Sequence, residues 1–362
     1  MTAAISVIVP IFNAEKWLCS CLNRIINQPF RSIELLLVND GSTDQSGAIC
    51  EEYATKDARI KVMHKPNQGT SSARNSGLKA ASGKYVSFLD ADDEIDDLYF
   101  VKLYAAAEQS GSEVVICGYE TSHSLEKRPP KFMLHTVMSG KELILSTNHV
   151  HSGNELCFVW RCLFLRTVIE NRKIRFQEGL TIGEDTIFLL ETLLAATRVF
   201  AIPDLLYLYK TANNANSLTR SSYRPDLEKC LILQYELRKR LSDTSGLLAI
   251  DAYSTDMAAY YIHAIRSMLI ANLRNSPYTV KKADLARIIN LKMITDSTKQ
   301  LGFSYPCSSL KEYLYYVSLK FKLAALLFRW EFGRRSGSSH PALTPDSSEE
   351  TTAAYKPGKQ PA

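Results

Sequence analysis

The stretch Gly83-Lys-Tyr-Val-Ser-Phe-Leu-Asp-Ala-Asp-Asp93 joins a short apolar run to three carboxylates within four positions. Its first part predicts a buried strand that ends at Leu89. Carboxylates packed together at a strand end repel one another and lose solvation, so folding alone gives no reason to place them there. Mg²⁺ and Mn²⁺ bind carboxylate oxygens and usually substrate phosphates as well. The stretch therefore predicts a metal–diphosphate site, with a solvated acidic turn as the alternative.

Upstream of this stretch, short apolar runs alternate with segments of helical periodicity. Strands are predicted at 5–9, 33–38, 59–64 and 85–89, and helices at 14–27, 43–53 and 71–81. This alternation predicts an α/β fold with a Rossmann-like, mostly parallel sheet that carries helices on both faces. Such sheets bind their ligands outside the carboxyl ends of the strands.

The composition is that of an ordinary globular chain, with 46% hydrophobic and 22% charged residues among 362. A formal net charge of +5 is mild, so we expect no nucleic-acid partner. The eight cysteines are scattered without a C-x-x-C pair, which predicts free thiols in a reducing cytoplasm. We also expect no secretory signal and no membrane-spanning segment, so a cytoplasmic protein is predicted.

Polar residues follow the first two predicted strands as well. Pro10-Ile-Phe-Asn13 ends the first strand, and Asn39-Asp-Gly-Ser42 ends the second. Asp40 is either a turn or cap residue, or an acceptor for a ribose hydroxyl or a base N–H. The first strand is not followed by G-x-G-x-x-G, and the chain has no G-x-x-x-x-G-K-[ST], which disfavours dinucleotide cofactors and P-loop chemistry.

Taken in order, four segments resemble family 2 glycosyltransferases of the GT-A fold: Ile5–Asn13, Leu36–Asp44, Asn67–Gly77 and Gly83–Asp93. The resemblance is dense to about residue 100 and continues, weaker, through Gly183-Glu184-Asp185. One departure is Asn39, where the family commonly has a second Asp. An amide keeps the hydrogen bonding of that position without its charge, so the assignment is unchanged.

The resemblance implies an inverting transfer of a sugar from a nucleotide sugar, with UDP as the expected nucleotide. The acceptor would be a hydroxyl of a glycan or of a lipid-linked oligosaccharide in the synthesis of a cell-surface polysaccharide. Pro10, Phe12, Asn13 and Asp40 would line the nucleoside pocket, with Asp40 on the base. Arg74 would lie near the base or the diphosphate.

The carboxylates of the opening stretch also receive roles from the resemblance. Asp90 would hold the ribose or a metal-bound water, and Asp92 would ligate Mn²⁺ or Mg²⁺. In an extended segment, positions i and i+2 point to one side, so Ala91 would face away from the ligand that the two carboxylates share. Asp93 is either a further ligand or the cap of a following helix, and the cap is favoured.

The transfer also needs a base to take the acceptor proton. Gly183-Glu184-Asp185 opens a predicted helix, where acidic residues are also favoured by the helix dipole alone. The family pattern assigns Asp185 as the base and places Glu184 on the acceptor side. Trp160 is predicted in the acceptor region, where its ring either packs against a sugar or belongs to the core. Lys210 and Arg220 flank a polar loop that either closes over the diphosphate or lies on the surface.

The chain divides into three predicted parts. A catalytic domain spans 1–222, with a nucleotide-sugar half at 1–118 and an acceptor half at 119–222, and a helical region spans 223–335. Residues 336–362 are rich in Ser, Thr, Pro and Gly, which predicts a disordered tail.

The segment 310–335 combines aromatic and apolar residues with Lys and Arg. This pattern is typical of a helix in an anionic membrane interface, and equally of a helix packed on the catalytic domain with basic side chains at its edges. The first interpretation predicts a peripheral protein on the inner face of the cell membrane.

Two other functions are open. A sugar nucleotidyltransferase has a similar sheet but should carry a Gly-rich basic loop after the first strand, where this chain has Pro10-Ile-Phe-Asn13. A non-catalytic module that only binds a nucleotide sugar is the other alternative, which the intact set of carboxylates disfavours.

Overall fold

The computed structural model describes residues 3–122, 124–210, 223–276, 279 and 281–332. Within them the strands are β1 (Ile5–Ile11), β2 (Ile33–Asp40), β3 (Ile60–Lys65), β4 (Tyr85–Phe88), β5 (Glu94–Ile95), β6 (Val114–Thr121), β7 (Lys127–Arg128), β8 (Cys162–Leu165) and β9 (Val199–Tyr209). The helices of the first half are α1 (Glu15–Ile26), α2 (Ser46–Lys56), α3 (Thr70–Ala80), α4 (Tyr99–Ser110), α5 (Gly140–Leu145), α6 (Arg166–Asn171) and α7 (Glu184–Ala195).

A second group of helices follows β9. These are α8 (Leu227–Thr244), α9 (Asp251–Ala264), α10 (Ala271–Arg274), α11 (Lys282–Ile288), α12 (Lys292–Leu301), α13 (Leu310–Lys320) and α14 (Ala324–Phe332), with a π-helical turn (Ile265–Ile270) between α9 and α10. Among the described residues, no helix combines the length and the apolar character needed to cross a membrane.

The sheet has the strand order β3-β2-β1-β4-β8-β6-β9-β5, with β7 paired to β6. Strands β1 to β4 are parallel, as predicted, while β8 runs antiparallel between β4 and β6 and makes the sheet mixed. Pro10 lies beside Val38, and Ile8 lies beside Phe88, so β1, β2 and β4 end at one edge. The segments after these strands therefore meet there, where open α/β sheets bind ligands.

Alternate side chains of the central strands enter two different cores. Val7 and Leu35 belong to a core that includes Leu22 of α1, whereas Ile8 and Leu36 belong to a core that includes α3, α7 and the second group of helices. Successive side chains of a strand point to opposite faces, so a strand buried on both faces is apolar at every position. The predicted coverage of both faces is confirmed.

The second group of helices shares its core with the sheet. Leu36 lies in the same buried cluster as residues of α9, α11 and α13, such as Ile262. The predicted boundary at 222 lies outside the described residues, as do 333–335 and the predicted tail 336–362. The predicted helical segment from 310 is two helices, because the chain turns between Phe321 and Leu323.

Gly77 lets α3 lie directly against β1. A Cβ built on Gly77 would stand 2.4 Å from Cγ2 of Ile8, well inside van der Waals contact. The close approach sets the position of α3 over the sheet, and with it the position of Arg74 one turn earlier.

We expect Gly77→Ala to lower the free energy of unfolding by ~1–3 kcal/mol, because the added methyl group pushes α3 off Ile8. The exposed Lys79 on the same helix is the matched control. Lys79→Ala should change stability by less than ~0.5 kcal/mol. Both values come from denaturant titration followed by circular dichroism. Equal stability of Gly77→Ala and the wild type would contradict the packing argument.

Candidate active site

The loops after β1 and β2 are tied to each other at the sheet edge. The backbone N–H of Asn13 donates to Oγ of Ser42 (3.0 Å), and Oδ1 of Asn13 accepts from the backbone N–H of Thr43 (2.8 Å). Asn13 adopts φ 49°, a left-handed conformation that Asn tolerates better than most residues. The turn leaves the side chain of Phe12 51% exposed at its tip. Pro10, Phe12 and Asn13 thus lie together at this edge of the sheet, and their contact with a nucleoside stays a prediction.

The structure gives Asp40 a partner set that differs from the predicted one. Its carboxylate is 2% exposed and accepts from Nζ of Lys65 (2.9 Å) and from the backbone N–H groups of Gln68 and Gly69 (3.1 and 2.7 Å). Both oxygens are therefore used to hold the turn that begins α3. In this structure both oxygens of Asp40 accept from donors of the protein itself, and the contact of Asp40 with a nucleotide base stays a prediction.

The departure at Asn39 has a structural reason. Oδ1 of Asn39 accepts from the backbone N–H of Ser42 (3.1 Å), and Nδ2 donates to Nδ1 of His64 (2.9 Å), whose Nε2 donates to Glu51 (2.8 Å). An Asp at this position could accept from Ser42 but could not donate to His64. The amide therefore joins β2 to β3 without adding a buried charge.

Arg74 connects the two acidic segments that the sequence separates by about a hundred residues. It is 4% exposed; Nη2 donates to Oδ1 of Asp90 (2.8 Å), and Nη1 donates to Oε1 of Glu184 (3.1 Å). The guanidinium also lies 5.2 Å from the centre of the Phe176 ring. The fork geometry of a guanidinium suits two separate carboxylates. Arg74 thus holds the strand end at Asp90 beside the helix start at Glu184.

The carboxylates after β4 separate into exposed and buried groups. Asp90 and Asp92 are partly exposed, whereas the methyl group of Ala91 is buried in the core, as the i, i+2 argument predicts. Asp93 is buried and accepts from the Tyr207 hydroxyl (2.8 Å) and from the backbone N–H of Lys210 (2.7 Å). The favoured role of Asp93 as a helix cap is wrong, since β5 follows it and its carboxylate instead fastens the end of β9.

Negative charge accumulates around this strand end. Burial, and next the charges of Asp92 and Asp90, raise the pKa of the Asp93 carboxyl well above its usual value. Burial and the same three carboxylates raise the pKa of Tyr209 to about 12. A site that disfavours further negative charge to this degree suits a cation.

A divalent cation fits these residues only as a partial coordination sphere. In the described part of the chain, no three His, Cys, Asp or Glu side chains converge to hold a metal ion. Mg²⁺ is typically bound through one or two carboxylates, with waters and substrate phosphates completing its shell. Asp92, with Asp90 beside it, meets that description.

The start of α7 is fixed by a glycine. Gly183 has φ +80°, and a Cβ placed on it would stand 2.1 Å from Nε2 of the buried Gln234. Asp185 follows in the first turn, where Oδ1 accepts from the backbone N–H of Thr186 (2.7 Å). Burial, and next the charge of Glu184, raise the pKa of the Asp185 carboxyl well above its usual value, against a smaller lowering by Arg74. A carboxylate with a raised pKa is the stronger proton acceptor.

Trp160 belongs to the core and not to an acceptor surface. Its indole is 3% exposed and stacks on Tyr207 with ring centres 4.0 Å apart. The prediction that it packs against a sugar is wrong, because the ring has almost no surface left. Phe158 and Tyr209 stack against Trp160 at 4.7 and 5.7 Å and remain partly exposed.

Sequence reasoning did not name Phe158 and Tyr209, the partly exposed aromatic residues that stack on Trp160. Tyr209 lies near the carboxylates that raise its pKa, and Phe158 follows Cys157, whose pKa is raised by burial and next by the charge of Asp185. The alternation in β9 offered a signal, since Tyr207 and Tyr209 must share one side of that strand. Of the predicted polar loop, only Lys210 is described, and its Nζ donates to Glu94 (2.6 Å); Arg220 lies outside the described residues.

Comparison with known proteins gives three kinds of similarity. The family model described as glycosyl transferase family 2 matches residues 6–162. The uncharacterized glycosyltransferase EpsJ of Bacillus subtilis is 34% identical over 349 residues, which cover 94% of this chain and 100% of EpsJ. The minor teichoic acid biosynthesis protein GgaB of Bacillus subtilis is 36% identical over 183 residues, which cover 50% of this chain and 20% of GgaB.

Among solved structures, S. aureus TarS 1-349 in complex with UDP-GlcNAc is similar in fold. The TM-score is 0.62 at 21% sequence identity, and the match covers 89% of this chain and 91% of the TarS chain. The α/β sheet with its second group of helices is thus a known arrangement.

We expect Arg74→Met to lower the free energy of unfolding by ~3 kcal/mol or more, because it leaves two poorly solvated carboxylates beside each other without their cation. Arg24 is the matched control: its Nη1 also lies 2.8 Å from a carboxylate, but Asp97 is 80% exposed. Arg24→Met should cost less than ~1 kcal/mol.

The same denaturant titrations test whether Arg74 acts through Glu184. Adding Glu184→Gln to Arg74→Met removes one of the unpaired charges, so the double variant should be more stable than the sum of the single effects predicts. Strict additivity would mean that the two side chains are not coupled.

Proposed function

The chain belongs to glycosyltransferase family 2, and we propose that it transfers a sugar from a UDP-sugar to a hydroxyl of a glycan or a lipid-linked oligosaccharide, with inversion at the anomeric carbon. The observation that carries the proposal is the Arg74 bridge, which brings the strand end at Asp90 and the helix start at Glu184 and Asp185 to one place. The UDP-GlcNAc in the TarS complex supports the donor class, and the similarity to GgaB supports a cell-surface polymer as the product.

The donor would lie along the carboxyl edge of β1, β2 and β4. Pro10, Phe12 and Asn13 offer an apolar face and a rigid turn for the nucleoside. Asp92, with Asp90, would hold Mn²⁺ or Mg²⁺ against the diphosphate. The bound metal supplies Lewis-acid stabilisation of the charge that grows on the leaving nucleoside diphosphate.

Asp185 is the proposed base. As the acceptor oxygen attacks the anomeric carbon, its proton passes to the Asp185 carboxylate, and the bond from the sugar to the diphosphate breaks. The backbone N–H of Thr186, in the N-terminal turn of α7, donates to Oδ1 of that carboxylate. One base and one direct displacement give inversion.

Arg74 positions both acidic segments without being needed for the chemistry. It holds Asp90 through one nitrogen and draws Glu184 toward the core through another. Glu184 is then kept as the ion-pair partner of Arg74, which leaves Asp185 available as the proposed base.

The setting proposed for the reaction is the cytoplasm. All eight cysteines are described and are free thiols. Free thiols suit a reducing compartment.

A donor screen tests the proposal. The protein is incubated with each candidate UDP-sugar and Mn²⁺, with and without a glycan acceptor, and UDP release is followed together with product mass.

Asp92→Asn should reduce UDP release by about a hundredfold or more, because the charge on the diphosphate loses its counter-ion. Asp97→Asn removes an exposed carboxylate two residues before α4 and should leave UDP release unchanged. Full activity of Asp92→Asn would refute the metal assignment.

The pH dependence tests the base. The rate requires the deprotonated form of Asp185, so kcat/KM should fall as pH drops through the raised pKa of that carboxyl. Glu184→Gln removes a negative neighbour of Asp185 and one of the two carboxylate partners of Arg74, and both changes lower the pKa of Asp185. The acidic limb of the profile should therefore move to lower pH.

Asp185→Asn is the companion variant. It should abolish turnover while UDP binding, measured by calorimetry with Mn²⁺, is retained. Loss of UDP binding in Asp185→Asn, or an acidic limb that does not move in Glu184→Gln, would count against the assignment.

A further inference from the structure

Helices α13 and α14 carry an apolar surface that the catalytic site does not use. We call it the apolar ridge, and it consists of Phe303, Leu310, Leu314, Phe321, Leu323, Leu326 and Trp330. Each member is between 37% and 74% exposed, and together they are seven of the twelve large hydrophobic side chains exposed in the described part of the chain. A concentration of exposed apolar side chains on neighbouring helices indicates an interaction site.

Within each helix the ridge members share one side, and α13 packs against α14. Leu310, Leu314 and Phe321 recur at helical spacing on one side of α13, while Tyr316 and Leu319 on the other side are buried. On α14, Leu326 and Trp330 are exposed while Leu327 is buried. The rings of Phe303 and Phe321 lie 6.2 Å apart and join the preceding loop to the ridge.

On α13 and α14 the exposed charged side chains are positive, and the two acidic side chains are hydrogen-bonded within the protein. Lys311, Lys322 and Arg329 are exposed beside the ridge. Glu312 instead turns toward its own N-cap, where it accepts from the backbone N–H of Ser308 (2.9 Å). Glu331 is 11% exposed and paired with Arg274. The outward face of α13 and α14 is therefore apolar and positively charged.

We propose that the apolar ridge docks the protein on an anionic lipid bilayer. The apolar side chains enter the interface between headgroups and acyl chains, and the three exposed cations contact anionic headgroups. A second copy of the chain fits less well, because a symmetric contact would set the same cations against one another. At 11 and 9 residues, the two helices are also too short to cross the hydrocarbon core of ~30 Å.

Docking would hold the enzyme where lipid-linked acceptors are found. This consequence rests on the proposed function, whereas the binding of the ridge to lipid does not.

The experiment uses the full-length protein and sedimentation with vesicles of phosphatidylcholine alone, or with added phosphatidylglycerol. The wild type should sediment with the anionic vesicles, more weakly with the neutral ones, and less at high salt. Phe321→Asp/Trp330→Asp should weaken this binding by about tenfold or more, since it removes two inserted rings and adds two repelled charges. Lys311→Glu/Arg329→Glu should weaken binding to the anionic vesicles only.

Leu125→Asp/Met133→Asp is the matched control, because these side chains are 68% and 52% exposed outside the ridge. It should bind vesicles as the wild type does. UDP release in solution and the thermal midpoint should be unchanged in the ridge variants, which shows that they are folded.

Three results would overturn the proposal. The first is that the wild type does not sediment with anionic vesicles. The second is that Phe321→Asp/Trp330→Asp and Lys311→Glu/Arg329→Glu both sediment with them as the wild type does. The third is a dimer in analytical ultracentrifugation that Phe321→Asp/Trp330→Asp converts to a monomer. A wild type that binds vesicles but releases no UDP with any donor would refute the proposed function and leave the docking surface intact.

Discussion

The ion pairs of the buried Arg74 with Asp90 and Glu184 are the interactions on which the arrangement of the site depends. One guanidinium, 4% exposed, is shared between carboxylates that lie 16 and 110 positions away in the chain. Two carboxylates and the neighbouring Asp185 would repel one another if this cation were absent. The cation therefore makes it possible for the carboxylates after β4 and the proposed base to occupy one small region.

The position of Arg74 follows in turn from close packing and from a buried carboxylate. Gly77 allows α3 to rest on Ile8, and Asp40 holds the turn before α3 through the N–H groups of Gln68 and Gly69. Asp93 has a similar structural role at the end of β9, where its carboxylate accepts hydrogen bonds from the Tyr207 hydroxyl and the backbone N–H of Lys210. Acidic residues near the site thus have two uses: Asp40 and Asp93 fix backbone, while Asp92 and Asp185 remain partly exposed for ligand chemistry.

Local pattern was sufficient for much of the fold. The apolar runs at β1, β2 and β4, each followed by a polar turn, predicted a sheet edge lined with acidic and turn residues, and the register of the strands brings these turns together. The alternation of Asp90, Ala91 and Asp92 predicted which of them faces the core. These inferences succeeded because strand periodicity and the rule for ligand sites in parallel sheets depend only on nearby residues and on strand order.

The sequence by itself determined the family, the strand-end carboxylates and the candidate base, because each is written in residues close together in the chain. Only the tertiary structure decided which side chains are free to meet a ligand. The Asp40 carboxylate accepts a hydrogen bond from the backbone of Gln68, 28 residues later, and the Asp93 carboxylate accepts one from the backbone of Lys210, 117 residues later. The ring of Tyr207 covers Trp160. A carboxylate or an indole looks the same in the sequence whether it faces a ligand or is held by other residues of the protein. The residues that hold it come from distant segments, and the local sequence pattern does not show which segments pack together.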